Sequence, residues 1–176
     1  GALTHGLNLV RTIGTKNTFS ATSADQLPHQ LTAWALYGHQ FLMPVPDIDR
    51  ADLIVLFGHN PMASNGSIWT VPDFPARRRE LASRGGRLVV VDPRRTETAK
   101  VADEHHFIRP GTDMWVLLAM LREVIALGAS PAAYVDGVAE VRRAVEPFTP
   151  EVAENFSGMP SAAIRALAAD LHGAPA

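Results

Sequence analysis

The chain has 176 residues, 47% hydrophobic and 19% charged, which is enough to bury a core of its own. Lys and Arg number 16 against 18 Asp and Glu, a formal net charge of -2, which excludes a strongly basic nucleic-acid binder. Cysteine is absent, so disulfides, thiolate zinc sites, iron–sulfur ligation and a cysteine nucleophile are excluded within these residues. No apolar run approaches the roughly 20 residues that span a bilayer, and membrane insertion is not expected. The opening residues lack the basic-then-apolar pattern of a secretion leader, and the compartment stays open.

In chain order, the first helix is expected over Leu3–Arg11. Leu27, Leu31, Trp34 and Ala35 recur at i, i+4, i+7 and i+8, which predicts a helix over Ala24–Tyr37 with Asp25 at its cap. Met43-Pro44-Val45-Pro46 is an extended connector. Leu53–Phe57 and Leu88–Val91 are unbroken apolar runs. Strands without polar alternation are buried on both faces, as in a parallel sheet covered by helices. Between them a helix is predicted from about Pro75 to Gly85-Gly86, completing a βαβ unit. Its Arg77-Arg78-Arg79 reads as a solvated face. A third strand is expected at His106-Phe107-Ile108. Helix Met114–Leu127 is apolar nearly all round, which predicts burial in the middle of the domain, and Gly128 ends it. The last third is helical: Thr149-Pro150-Glu151 is a helix start, and Ile164, Leu167, Ala168 and Leu171 make one apolar face. Trp34, Trp69 and Trp115 read as core or subunit contacts. His105 and His106, adjacent on a strand, point to opposite faces and read as structural histidines. The fold class is α/β: a three-layer parallel sheet with helices on both faces and a helical C-terminal tail.

Ligands of open parallel sheets bind beyond the carboxyl ends of the strands. Here each strand ends in a turn whose chemistry suits part of a nucleotide. The first turn is Gly58-His59-Asn60-Pro61 followed by Ser64. Glycine lets the backbone bend sharply and approach a ligand, and backbone N–H groups with short polar side chains can hold a diphosphate. It is neither G-x-G-x-x-G nor a Walker loop. The second is Asp92-Pro93-Arg94-Arg95-Thr96, with a strand-tip carboxylate placed to accept ribose hydroxyls and Arg94 able to reach a phosphate. An Asp-Pro turn with solvated arginines is the equal alternative. The third is Pro110-Gly111-Thr112-Asp113. A carboxylate accepts two hydrogen bonds from the N1 and N2 edge of guanine, a pair adenine does not offer. Thr112 or Asp113 could also simply cap the following helix.

The three turns, in this order, resemble the molybdopterin oxidoreductase family, whose motifs are of the form G-x-N-P-x-x-S, D-P-R-x-T-x-T-A and P-G-T-D. The chain carries Gly58-His59-Asn60-Pro61-Met62-Ala63-Ser64, Asp92-Pro93-Arg94-Arg95-Thr96-Glu97-Thr98-Ala99 and Arg109-Pro110-Gly111-Thr112-Asp113. The likeness runs from about Gly14 to Leu127, and the tail around Gly158-Met159-Pro160 is similar as well. It implies a Rossmann-like segment of a catalytic subunit: one domain over 1–176, with 129–176 a mostly helical extension. It also implies one arm of a bis-molybdopterin guanine dinucleotide cofactor around molybdenum or tungsten. By this resemblance Gly58, His59, Asn60, Pro61 and Ser64 hold the diphosphate. Asp92, Pro93, Arg94 and Thr96 meet ribose and phosphate, and Gly111, Thr112 and Asp113 read the guanine. The metal ligand and any 4Fe-4S cluster domain are implied upstream and a closing barrel domain downstream. The partners are then the remaining domains of that subunit and electron-transfer subunits. The segment is expected to be a fragment inactive alone, so no catalytic residue is assigned. Two alternatives stand beside this: a cofactor-less electron-transfer scaffold related to the large iron–sulfur subunit of respiratory complex I, and a generic dinucleotide-binding module.

Overall fold

The computed structural model describes residues 2–19, 21–129, 131–132 and 134–174. Two compact units divide the chain, 1–45 and 46–176, a boundary the sequence reading did not draw. The first unit carries α1 (Ala2–Ile13), α2 (Thr22–Asp25) and α3 (Leu27–Tyr37). The single helix expected over Ala24–Tyr37 is thus two, broken at Gln26. Pro28 lacks an N–H, and its ring would clash with the carbonyl four residues back in a continuous helix. Asp25 closes α2 instead of capping α3, whose cap residue Gln26 makes no side-chain cap bond.

The second unit is built on three parallel strands, β1 (Leu53–Phe57), β2 (Arg87–Val91) and β3 (Glu104–His106), in the order β1-β2-β3. Val55 lies opposite Val89 and Phe57 opposite Val91, while Val91 also lies opposite His106. Side chains alternate between sheet faces, and each face has its own core. Ile54, Leu56, Leu88 and Val90 pack with Phe74, Leu81 and Ala99, which come from α5 (Phe74–Ser83) and α6 (Glu97–Val101). Val89 and Val91 pack on the other face with Val116, Met120, Met159 and Ile164. That layer holds α7 (Asp113–Ala126), α9 (Pro150–Ser157) and α10 (Ser161–Gly173), with α8 (Val138–Val145) preceding α9. Helices therefore cover both faces of the sheet, and the C-terminal region is helical. Leu88 to Val91 are completely buried, whereas β1, at the sheet edge, alternates buried and half-buried.

The turn chemistry is local and legible. Asp73 accepts from Ala76 N at the start of α5, and Thr149 accepts from Val152 N at the start of α9 with Pro150 in its first turn. Trp69 is buried, its Nε1 donating to Pro46 O at 2.8 Å.

Four expectations are corrected. The third strand runs over 104–106, not 106–108. Glu104 enters the sheet beside Val89 and pairs its carboxylate with Arg87, and beyond His106 the Arg109 N–H turns away to Ser157 O. Helix α7 is not enclosed all round: Met114, Leu117 and Leu121, at i, i+3 and i+7, are 55%, 47% and 40% exposed, because only its Val116–Ala119–Met120 side meets the core. Leu171 likewise stands outside the buried face formed by Ile164, Leu167 and Ala168. Two of the three arginines of α5 are tethers, while Arg79 alone is exposed as the solvated-face reading expected. Arg77 pairs with Asp49, and Arg78 reaches Val101 O and Asp103, whose other carboxylate oxygen accepts from Leu88 N.

Leu88 has no exposed surface and sits in the middle strand. Leu88→Ala should cost about 2–5 kcal/mol of stability, read from urea denaturation. A loss under about 1 kcal/mol contradicts the three-layer packing.

Candidate functional site

Parallel register sets Phe57, Val91 and His106 side by side, so the chain leaves all three strands at one edge of the sheet. Gly58 continues the ladder, its N–H donating to Val91 O at 2.9 Å. It then turns at φ +60°, and a Cβ there would meet nothing within 4 Å. Gly111 has φ +77° and the same open space. These are left-handed conformations that glycine adopts without steric cost. Substitution at either would strain the backbone while filling space in front of the turn.

The first two turns are bonded to each other. Asn60 Oδ1 accepts from Thr98 N at 3.2 Å and Thr98 Oγ1 at 2.7 Å, and Asn60 Nδ2 donates to Glu97 Oε2 at 2.9 Å. Thr98, fully buried, also accepts from Met62 N at 3.1 Å. The short helix α4 (Pro61–Ser64) is thereby held against the start of α6. Both ends of the Asn60 amide are engaged in this junction. In the backbone of the first turn, His59 N–H and Asn60 N–H donate to nothing among the described residues. The Asn60 carbonyl is engaged too, accepting from Ala63 N, Ser64 N and Ser64 Oγ. Pro61 is buried, and the His59 ring lies half-buried 6.2 Å from Trp69.

In the second turn Asp92 is buried, with Oδ1 accepting from Arg94 N at 2.7 Å and its carbonyl accepting from His105 Nε2 at 3.1 Å. The Asp-Pro turn is therefore a real local structure. It uses one carboxylate oxygen and leaves the other without a partner among the described residues. Thr96 is buried and caps α6 by accepting from Ala99 N. Pro93 and Arg94 are exposed, and the Arg94 guanidinium stands 3.9 Å from Glu97. Hydrogen bonding from Asn60, foremost, holds the Glu97 carboxyl below the ordinary glutamate range, with Arg94 and Lys100 adding to it.

The third turn follows β3 by a short excursion and makes no hydrogen bond to the other two among the described residues. Thr112 does not cap α7. Its Oγ1 donates to Arg109 O at 2.6 Å. Asp113 opens α7 half-buried, its carboxylate without a hydrogen-bond partner among the described residues. Helix α7 thus starts with uncapped N–H groups and a free carboxylate. Two residues outside the predicted set prove central to the first junction, Glu97 and Thr98. Their signal in the sequence was the second Thr of the D-P-R-x-T-x-T-A segment, where a β-branched polar residue stands at a position that turns out to be wholly buried. Elsewhere, an open depression of about 300 Å³ lies between α7 and α8, lined by Arg122, Ile125, Arg142 and Val145 among others, and takes no part in this edge.

Three loops leaving neighbouring parallel strands at one edge, two of them bolted together and two carrying left-handed glycines, define an α/β protein of the open parallel-sheet class, a class whose ligands bind beyond the strand ends. Residues 3–130 match the molybdopterin oxidoreductase family, and the chain belongs to that family. Formate dehydrogenase H of Escherichia coli is 34% identical over 125 residues, which covers 69% of this chain and 17% of that protein. Thiosulfate reductase molybdopterin-containing subunit PhsA of Salmonella typhimurium is 30% identical over 166 residues, covering 89% of this chain and 20% of that one. The chain thus spans no more than about a fifth of the length of these relatives. Among solved structures, acetylene hydratase from Pelobacter acetylenicus aligns with a TM-score of 0.59 over 70% of this chain and 17% of its own, at 24% identity, which is a likeness of fold.

Thr98→Val removes the hydroxyl that both donates to Asn60 and accepts from Met62 N, and should cost about 1–3 kcal/mol in chemical denaturation. A neutral result contradicts the junction. Glu97 titrates lower folded than unfolded, so its contribution is full above the ordinary glutamate range and is lost as pH falls through the lowered folded value. Glu97→Gln should remove that part of the acid limb of the stability curve, and an unaltered limb contradicts the Asn60 contact.

Proposed function

We propose that this chain holds one guanine dinucleotide arm of a bis-molybdopterin cofactor carrying molybdenum or tungsten, within the catalytic subunit of an oxidoreductase. The observation that carries the reading is the shared strand-end edge, where unpaired backbone donors, an exposed guanidinium and a free carboxylate follow one another. The donor set fits such a ligand. The His59 and Asn60 N–H groups, beside the open face of Gly58, suit a diphosphate. Pro61 and Ser64 shape the same turn from α4. Arg94, only weakly paired with Glu97, adds positive charge where phosphate charge would fall. The second oxygen of Asp92 takes a ribose hydroxyl, with Pro93 and Thr96 fixing the turn that aims it. Asp113 accepts from the N1 and N2 edge of guanine, with Gly111 admitting the base and Thr112 closing the loop behind it.

When bound, the metal supplies the redox change of oxygen-atom or hydride-type chemistry, while the protein supplies position and electrostatics. These residues bind and orient, and none of them is assigned a step in turnover. The remaining domains of the same subunit, electron-transfer subunits and a 4Fe-4S cluster outside this segment complete the proposal. A free carboxylate at Asp113 favours this reading over a cofactor-less scaffold, which has no use for a base-reading group. No helix among the described residues is long and apolar enough to cross a membrane.

Acid extraction of the full-length protein should release pterin together with guanine nucleotide. Adenine nucleotide, or none, contradicts the proposal. Asp113→Ala should lower guanine-nucleotide affinity by about tenfold to a few hundredfold. Full retention shows the base to be read elsewhere.

A further inference from the structure

The third turn hangs from one arginine. Arg109 N–H donates to Ser157 O at 2.8 Å, and Arg109 Nη1 donates to Asn155 O at 2.7 Å and Phe156 O at 2.9 Å. The carbonyls of the last three residues of α9 are therefore capped by a single residue from outside the helix. Those are groups a helix leaves unpaired at its C-terminus, and the guanidinium also meets the negative end of the helix dipole. The far end of the same residue holds the turn, because Arg109 O accepts from Thr112 N at 3.3 Å and Thr112 Oγ1 at 2.6 Å. The next residue is Asp113.

The anchor itself is stiff. Ser157 is buried, with Oγ donating to Ala153 O and accepting from Met159 N. Met159 is buried completely. Gly158 ends α9 at φ +78°, and the Arg109 guanidinium lies 3.8 Å from where its Cβ would be.

We propose that Arg109 is a positioning residue for base selection: it fixes the Pro110–Asp113 turn to the end of α9, so that the Asp113 carboxylate meets a base in one orientation. This rests on the reading of Asp113 given above. The guanidinium reaches the α9 carbonyls through Nη1, and the proposed role is exerted through the turn that the same residue holds. A second link joins the same two helices, since Trp115 of α7 stacks on Phe156 of α9 at 3.9 Å and 7°. Loss of the Arg109 side chain removes both Nη1 bonds but leaves the backbone bond to Ser157 O, and so loosens the turn without detaching α7.

The test is calorimetric titration of the cofactor-free full-length protein with GDP and with ADP. Wild type should prefer GDP. Arg109→Ala should cut the GDP-over-ADP ratio by about tenfold, the scale of one charge-assisted hydrogen bond, with ADP affinity unchanged. Arg109→Lys, which keeps a cationic donor, should recover part of the ratio. Gly158→Ala strains the end of α9 while leaving the guanidinium in place, so it should lower the ratio too. Far-UV circular dichroism identifies any variant that fails to fold, and the remaining variants then decide. A ratio that survives Arg109→Ala, or equal weakening of GDP and ADP, overturns the positioning role alone. A wild-type protein without preference for GDP overturns the reading of Asp113 and this inference with it.

Discussion

Strand β2 carries no exposed side chain from Leu88 to Val91, and the other features of the second unit follow from that burial. Each such residue contributes about 1.5–3 kcal/mol relative to leaving it in water, and both faces of the strand claim it at once. Leu88 and Val90 draw α5 and α6 to one side, and Val89 and Val91 draw α7, α9 and α10 to the other. A strand so enclosed has to pair on both edges, and parallel pairing with β1 and β3 sets Phe57, Val91 and His106 level. The alignment of the strand ends is thus a by-product of the core. No residue at the edge has to bring the strand ends together, because the packing of β2 already has.

What the edge residues do is sharpen that alignment. Asn60 links two adjacent turns through its amide, with Oδ1 accepting twice from Thr98 and Nδ2 donating to Glu97. Arg109 does the equivalent for the third turn by tying it to α9. In both cases the side chain that holds the loop is not the group that faces outward. The groups left without a partner among the described residues are the His59 and Asn60 N–H groups, one oxygen of the buried Asp92 and the half-buried Asp113 carboxylate, with Arg94 exposed beside them. A site presenting mostly backbone can approach a ligand closely, and fixed loops lower the ordering cost of binding.

Much of this was legible in the sequence. The unbroken apolar runs at Leu53–Phe57 and Leu88–Val91 announced buried parallel strands, and Thr149-Pro150-Glu151 announced α9, because local chemistry alone decides such features. The first two turns could be placed because each directly follows a strand, and the third because it immediately precedes helix α7. Other features depend on partners distant in the chain. Glu104 and His105 enter β3 through pairing with β2, not through apolarity. The polarity of Asn60 suggested a ligand contact, while its hydrogen-bond partners 37 and 38 residues away take up its amide. Apolarity along α7 showed that it could be buried but not which face would be covered. The break between α2 and α3 did carry a local signal, Pro28, which the hydrophobic spacing around it masked.

The most direct measurement is a crystal structure of the full-length protein with its cofactor bound. One dinucleotide should run along the carboxyl ends of β1, β2 and β3, with its diphosphate on the His59 and Asn60 N–H groups and its guanine on the Asp113 carboxylate. A dinucleotide seated away from this edge, or a guanine contacting neither Asp113 nor Gly111, would contradict the account.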